Sequence, residues 1–120
     1  MIEILQESQG NVLAVQGRGT LSDADYDHLL IPTLENIMKE HRKARLLFDM
    51  SRGFRGWNIA AAWRYAKFGL KHRSDFEKVA AICGPKWVQM GMKMQALVSG
   101  GETKTFSCDE RSEAFDWIRA

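Results

Sequence analysis

The spacing of apolar residues changes several times along the chain, and each change marks a predicted element. Residues 2–6 alternate between apolar and polar, which is typical of a half-buried strand. Gly10-Asn11 then marks a tight turn before the apolar run 12–15, so the two strands are predicted to form a hairpin. Three further strands are predicted at residues 44–48, 79–83 and 103–106. The first two of these are continuous apolar runs, as in buried parallel strands.

Helical spacing of apolar residues predicts four helices. Residues 22–25 resemble a capping box, and the first helix continues from there to about residue 41 with a kink at Pro32. The other helices are predicted over residues 58–71, 86–98 and 109–119. The order β-β-α-β-α-β-α-β-α predicts an α/β fold with right-handed crossovers. Its five-stranded sheet is mixed but mostly parallel, with an antiparallel first strand and four packed helices.

Length, termini and cysteines limit the classes of protein. A chain of 120 residues with 45% hydrophobic residues fits one domain spanning residues 1–120. The N-terminus has no signal-peptide pattern, and no stretch approaches the ~18 apolar residues of a membrane span. Cys83 and Cys108 lack C-x-x-C or zinc spacing, so they are predicted to be reduced core thiols. A cytoplasmic location follows as the default.

The net charge of +2 hides one basic segment, because residues 50–74 contain six Lys/Arg and no Asp/Glu. Arg64, Lys67 and Lys71 share one face of the second helix. One interpretation is an ordinary solvated face. A second interpretation adds Arg52 and Arg55 and gives a cationic rim for an anionic headgroup, a carboxylate or a phosphate. Peripheral contact with a membrane surface is a third interpretation.

The apolar residues beside these cations are predicted to lie in the core. On the second helix the predicted buried face consists of Ile59, Ala62, Trp63, Ala66 and Leu70. Burial of Trp63 and a pI of 8.6 both argue against nucleic-acid binding. On the third helix, the predicted core face consists of Trp87, Met90, Met94 and Leu97. Val88 and Met92 point elsewhere, to a pocket or a subunit interface.

An ordered set of short motifs resembles the bacterial SpoIIAA-like domains over most of the chain. The motifs are residues 19–26, Leu47-Phe48-Asp49-Met50-Ser51, the Trp-rich segment 56–63, residues 76–80 with Lys86-Trp87, and Phe106 with residues 113–118. The resemblance implies a STAS-like fold. Its relatives include anti-sigma-factor antagonists, which bind a kinase and are switched by serine phosphorylation, and CRAL-TRIO domains, which hold lipids. The segment 54–58 lacks the phosphorylated serine of the antagonists, so no phosphoswitch is expected.

Catalytic chemistry is not indicated. His28, His41 and His72 are scattered without metal-ligand spacing, and we find no acid/base pair, no P-loop and no dinucleotide motif. Asp49 closes a parallel strand, where α/β folds bind ligands, although a turn-capping carboxylate is the simpler interpretation. No enzyme activity, metal or cofactor is therefore predicted.

Two functions remain. The first is a non-enzymatic domain that binds a small amphipathic or lipid-like anionic ligand between the second and third helices. The candidate binding residues are Asp49, Arg52, Phe54, Arg55, Trp57, Trp63, Arg64, Val88 and Met92. The alternative is a regulatory protein-interaction module of the anti-sigma-factor-antagonist type that forms a homodimer and lacks the usual serine.

Overall fold

Strands and helices alternate along the computed structural model, which describes residues 1–98 and 100–120. The strands are β1 (Ile2–Ile4), β2 (Val12–Gly17), β3 (Gly19–Leu21), β4 (Ala44–Asp49), β5 (Phe54–Trp57), β6 (Phe76–Ile82) and β7 (Glu102–Phe106). Helix α1 has three consecutive segments, Asp23–Asp25, the π-helical turn Tyr26–Leu30, and Ile31–His41. The other helices are α2 (Ile59–Lys71), α3 (Lys86–Val98) and α4 (Arg111–Arg119).

Five strands form the main sheet in the order β1-β2-β4-β6-β7. β1 runs antiparallel to β2, with Ile2 opposite Gly17, and the remaining neighbours are parallel. This arrangement confirms the predicted α/β fold, its antiparallel first strand and its four helices. Because parallel neighbours share one direction, the carboxyl ends of β4, β6 and β7 lie at the same edge of the sheet.

A second, two-stranded sheet adds two strands that the sequence patterns did not predict. β3 and β5 pair in parallel, with Gly19 opposite Phe54 and Leu21 opposite Trp57. The sequence did not reveal these strands because they are short and have no apolar alternation. Gly56 lies within β5 with a φ of 118°, a backbone conformation that favours glycine. The pairing fixes the positions of two aromatic side chains beside α2.

The core has two layers, one on each face of the main sheet. Helices α1, α2 and α3 contribute to the first layer, and α4 covers the other face. The strands follow the period-two rule, since Leu46 belongs to the first layer and Leu47 to the second. Full burial of one such side chain stabilises the fold by about 1.5–3 kcal/mol.

Helix α1 begins with the predicted capping box. The Ser22 N–H donates to Asp25 Oδ2 at 2.8 Å, and the Asp25 N–H donates to Ser22 Oγ at 3.3 Å. The π-helical turn lies immediately before the segment that contains Pro32. Proline lacks the N–H that an uninterrupted helix would use there. The structure has this wider turn directly before the segment with Pro32, and the helix then continues to His41. The kink at Pro32 stays a prediction.

The cysteines correct a second prediction, because Cys83 and Cys108 form a disulfide rather than two reduced core thiols. The parallel pairing of Ile82 with Phe106 brings the ends of β6 and β7 together, and the two Cα atoms lie 4.3 Å apart. A separation of 25 residues in sequence gave no sign of this contact. Since disulfides are rare in the cytosol, the predicted cytoplasmic location loses one of its supports and stays a prediction.

The disulfide is expected to stabilise the fold. Replacing both cysteines, Cys83→Ser with Cys108→Ser, should lower the free energy of unfolding by about 2–4 kcal/mol, because the cross-link restricts the unfolded chain. Urea denaturation measures the loss, and the unmodified protein in excess dithiothreitol is the matched comparison. Equal stability with and without reductant would contradict the expectation.

The capping box should make stability depend on acid pH. Burial tends to raise the pKa of Asp25, but hydrogen bonds from Ser22 and the N-terminal ammonium 3.4 Å away together outweigh it and hold that pKa below its usual 3.8. The ionised carboxylate therefore stabilises the fold above that value, and this contribution is lost as the pH falls through the folded-state pKa. Asp25→Asn should cost on the order of 1 kcal/mol or less at neutral pH.

The pH dependence separates this contribution from general damage. In thermal unfolding, the difference between wild type and Asp25→Asn should shrink as the pH falls below 3.8. Asp23→Asn is the control, since that side chain lies in the same helical turn but outside the capping box. A difference that stays constant across the pH series would show that the carboxylate charge at position 25 does not matter.

Candidate functional site

Helix α2 turns the face opposite to the predicted one towards the core. Ala61 is buried, and the partly buried Tyr65 and Phe68 pack against the first core layer. The predicted buried face is exposed instead, and Trp63 is 60% exposed. The prediction of a buried Trp63 is therefore wrong. The helix is apolar on two faces. The face that packs on the sheet is the one where the small side chain of Ala61, beside two aromatic rings, lets the helix approach the sheet closely.

Helix α3 shows the same reversal. Val88 and Met92 are buried in the core, whereas the face predicted to be core is exposed. The exposed large apolar side chains described on this helix are Trp87, Met90, Met94 and Leu97. We define the apolar rim as these four residues together with Ile59, Trp63 and Leu70 of α2. Exposed apolar surface that is clustered in this way marks an interaction site in many proteins.

The inner parts of the two exposed faces enclose an apolar groove of about 450 Å³, called here the α2–α3 groove. Its α2 side is formed by Ala66, Gly69 and Leu70, and its α3 side by Trp87, Gly91 and Met94. Buried Phe76, Val88 and Met92 also line it. Ligand pockets have volumes of about 300–1,000 Å³ and mostly apolar linings, so the groove has the size and character of a binding site.

Aromatic rings from β5 and both helices pack together beside the groove. The ring of Trp57 lies 5.1 Å from Phe54, 5.6 Å from Tyr65 and 5.5 Å from Trp87, measured between centroids. The Trp57 Nε1–H also donates to the hydroxyl of Tyr26 at 2.6 Å. This hydrogen bond and the pairing of β5 hold Trp57 in one orientation, so the aromatic end of the groove is preorganised.

Tyr65 and Gln95 join α2 to α3 across the groove. The Tyr65 hydroxyl donates to Gln95 Oε1 at 2.5 Å. Burial raises the pKa of Tyr65, and burial likewise raises the pKa of Tyr26. Both phenols therefore stay protonated and neutral around neutral pH, where they act as hydrogen-bonding groups rather than as bases.

The charged side chains on the two helices beside the groove have one sign. Neither α2 nor α3 contains an Asp or Glu, and Lys67, Lys71, Lys86 and Lys93 are all exposed on these helices. Arg73, which follows α2, lines the groove itself. Arg73 belongs to the basic segment, but it was not among the predicted binding residues. Because it lies beyond the end of α2 at Lys71, helical spacing gave no signal of its place in the groove.

The other predicted arginines lie outside the groove. Arg64 Nε is 3.0 Å from Asp27 Oδ1 of α1, so this cation already has a carboxylate partner. Arg52 and Arg55 are exposed and do not line the groove. The structure therefore brings together Trp57, Val88 and Met92 of the predicted site, but not its three arginines. Phe54 contributes indirectly, since its ring stacks on Trp87 with centroids 6.4 Å apart.

Asp49 is a structural carboxylate at the end of β4. Its side chain is buried, and Oδ1 accepts hydrogen bonds from the Ser51 N–H at 2.9 Å and the Ser51 hydroxyl at 2.6 Å. Arg111 Nε lies 3.3 Å from Oδ2. These contacts agree with the turn-capping interpretation. Asn58 caps α2 in the same manner, accepting the Ala61 N–H at 2.7 Å.

Among residues 1–98 and 100–120, no group of three His, Cys, Asp or Glu side chains is placed to hold a metal ion. Within that part of the chain, no helix combines the length and apolar character needed to cross a bilayer.

Comparison with known proteins agrees with this fold. The profile of the SpoIIAA-like family matches residues 12–119. A crystal structure of an uncharacterised DUF3478-family protein from Shewanella loihica PV-4, described as having a SpoIIAA-like fold, is similar with a TM-score of 0.76 and 29% identity. The alignment covers 98% of this chain and 92% of that one. No curated protein matches this chain. The match over nearly the whole length, on the fold described above, means that the chain belongs to the SpoIIAA-like family.

Proposed function

We propose that this chain acts as one non-enzymatic binding domain whose α2–α3 groove holds a single anionic amphipathic molecule. The ligand has a lipid-like apolar body and a carboxylate or phosphate head. The observation that carries the proposal is an apolar groove between two helices that bear only positive charges.

The apolar side chains supply the driving force. Trp87 and Met94 are both more than half exposed and line the groove. A ligand chain lying between the helices would remove this surface from water, and each buried CH₂ contributes about 0.8 kcal/mol. Methionine side chains adapt their shape, which suits a flexible hydrocarbon partner.

Arg73 supplies the charge selectivity. A guanidinium forms paired hydrogen bonds with carboxylate or phosphate oxygens, and such charge-assisted bonds are stronger than neutral ones. The exposed lysines of α2 and α3 add a positive potential that attracts an anion and weakens with salt. We therefore place the headgroup at Arg73 in this proposal, rather than at Arg52 and Arg55.

The polar groups that line the groove favour binding over catalysis. Within residues 1–98 and 100–120, the titratable and amide side chains among them are Tyr65, Arg73 and Gln95. Arginine stays protonated and the amide does not titrate, while burial raises the pKa of Tyr65. None of the three therefore provides a general base near neutral pH, which supports a carrier or sensor of an intact molecule.

Binding of hexadecanoate tests the proposal. Tryptophan fluorescence is the direct readout, because Trp57 and Trp87 line the groove. Hexadecanoate below its aggregation limit should bind more tightly than hexadecanol, which has the same chain without the charge. Arg73→Gln should weaken hexadecanoate binding about tenfold or more and leave hexadecanol nearly unchanged. Lys39→Gln, on the exposed end of α1, removes the same charge as a control.

Three other results carry distinct meanings for this proposal. If Arg52→Gln or Arg55→Gln weakens hexadecanoate binding more than Arg73→Gln does, the headgroup binds near β5 and not at Arg73. Equal affinity for the acid and the alcohol would contradict the claim that the ligand is recognised through a negative charge. If neither molecule binds to protein that circular dichroism shows to be folded, the groove is not a binding site for lipid-like ligands.

A regulatory protein-interaction module is the second candidate, and the exposed apolar rim favours it. The partner of this candidate is a second copy of the chain. Two copies joined through the rim would bring the lysines of α2 and α3 near one another, so their repulsion opposes association. Added salt would screen this repulsion and strengthen the dimer, whereas it would weaken the binding of an anionic ligand.

Light scattering at high micromolar concentration tests the second candidate. The dimer fraction should rise with salt, and Trp63→Ser or Met94→Ser should reduce it severalfold because both remove rim surface. Ile4→Ser is the matched control, since Ile4 is 40% exposed but lies on β1. A protein that stays monomeric at low and high salt would exclude self-association through the rim.

A further inference from the structure

Both helices beside the groove carry a glycine in their interior. Gly69 lies on α2 and Gly91 on α3, and both line the α2–α3 groove. Glycine is the least favourable residue in a helix interior after proline, because it gives the unfolded chain the most freedom. The presence of two helix-interior glycines on opposite walls of one groove therefore needs a physical explanation.

The fold itself does not supply the reason. Neither residue has the positive φ that demands glycine. A Cβ atom built at either position meets no described atom within 4 Å. Gly17 is different, because a Cβ there would lie 2.6 Å from Phe48 Cε1 in the core. Packing thus explains Gly17, whereas Gly69 and Gly91 face open space.

We propose that Gly69 and Gly91 determine the specificity of the groove, by keeping its width free for a long unbranched hydrocarbon chain. This inference rests on the proposed function and names the apolar part of its ligand. Side chains at these positions would occupy part of the groove, because both glycines line it and a Cβ at either has no neighbour within 4 Å. Departures from local helix preference that have no packing reason are expected at functional sites.

Alanine substitutions test whether the glycines are structural. Gly69→Ala and Gly91→Ala should each raise the melting temperature by roughly 2–6 °C, because alanine is the better helix former and a Cβ has room. A lowered melting temperature in either variant would show that the fold needs the glycine, and would overturn the inference.

Leucine substitutions test the ligand. Gly69→Leu and Gly91→Leu should weaken hexadecanoate binding about tenfold or more while changing octanoate binding by less than about twofold, since a shorter chain occupies less of the groove. Ala96→Leu is the control, because Ala96 is exposed on α3 but does not line the groove. Tryptophan fluorescence gives the affinities, and circular dichroism confirms folding.

The possible failures can be distinguished. If wild type binds hexadecanoate and the leucine variants keep the same ratio of hexadecanoate to octanoate affinity, the glycines do not set specificity, and the proposed function stands without them. If wild type binds neither acid, the proposed function fails and this inference fails with it. Should Ala96→Leu lose as much affinity as Gly91→Leu, the effect is not specific to the groove, and the inference is again overturned.

Discussion

A helix can turn only one face towards a sheet, and this constraint governs the surface of the molecule. Helices α2 and α3 are apolar on more than one face. Ala61, Val88 and Met92 are buried against the sheet, so the apolar residues on the other faces of these helices remain exposed to solvent. Because the two helices lie side by side on the same layer, their uncovered faces meet along a line, and the groove is the space between them.

The small β3–β5 sheet supplies Trp57 to the aromatic end of the groove. Without that pairing, the segment after Asp49 would be a loop, and Trp57 would have no fixed place. The hydrogen bond from Trp57 to Tyr26 links the aromatic end of the groove to α1. Helix α3 is further connected through the turn at Cys83, whose disulfide ties β6 to the segment after β7. The groove thus depends on contacts with elements from both halves of the chain.

Charge and shape act together at this surface. The basic segment of the sequence divides into parts with different roles in the structure. Arg64 is paired with Asp27 of α1, and Arg73 lines the groove. Lysines flank the apolar rim on both helices, and no carboxylate on α2 or α3 neutralises them. An anion at the groove therefore meets cations without competition from the helices themselves.

Local sequence patterns were enough to predict the α/β fold, the order of the main strands and helices, the capping box at Ser22 and the family. These features depend on local periodicity and on short motifs, which are properties of neighbouring residues. These patterns could not show which face of α2 and α3 is buried, because both helices are apolar on two faces. Only packing against Tyr26, Phe76 and the sheet chooses between the two faces. The β3–β5 pair, the disulfide and the ion pair of Arg64 were also decided only in the tertiary structure. Each joins residues far apart in sequence, and their proximity follows from strand register and helix placement rather than from any local signal.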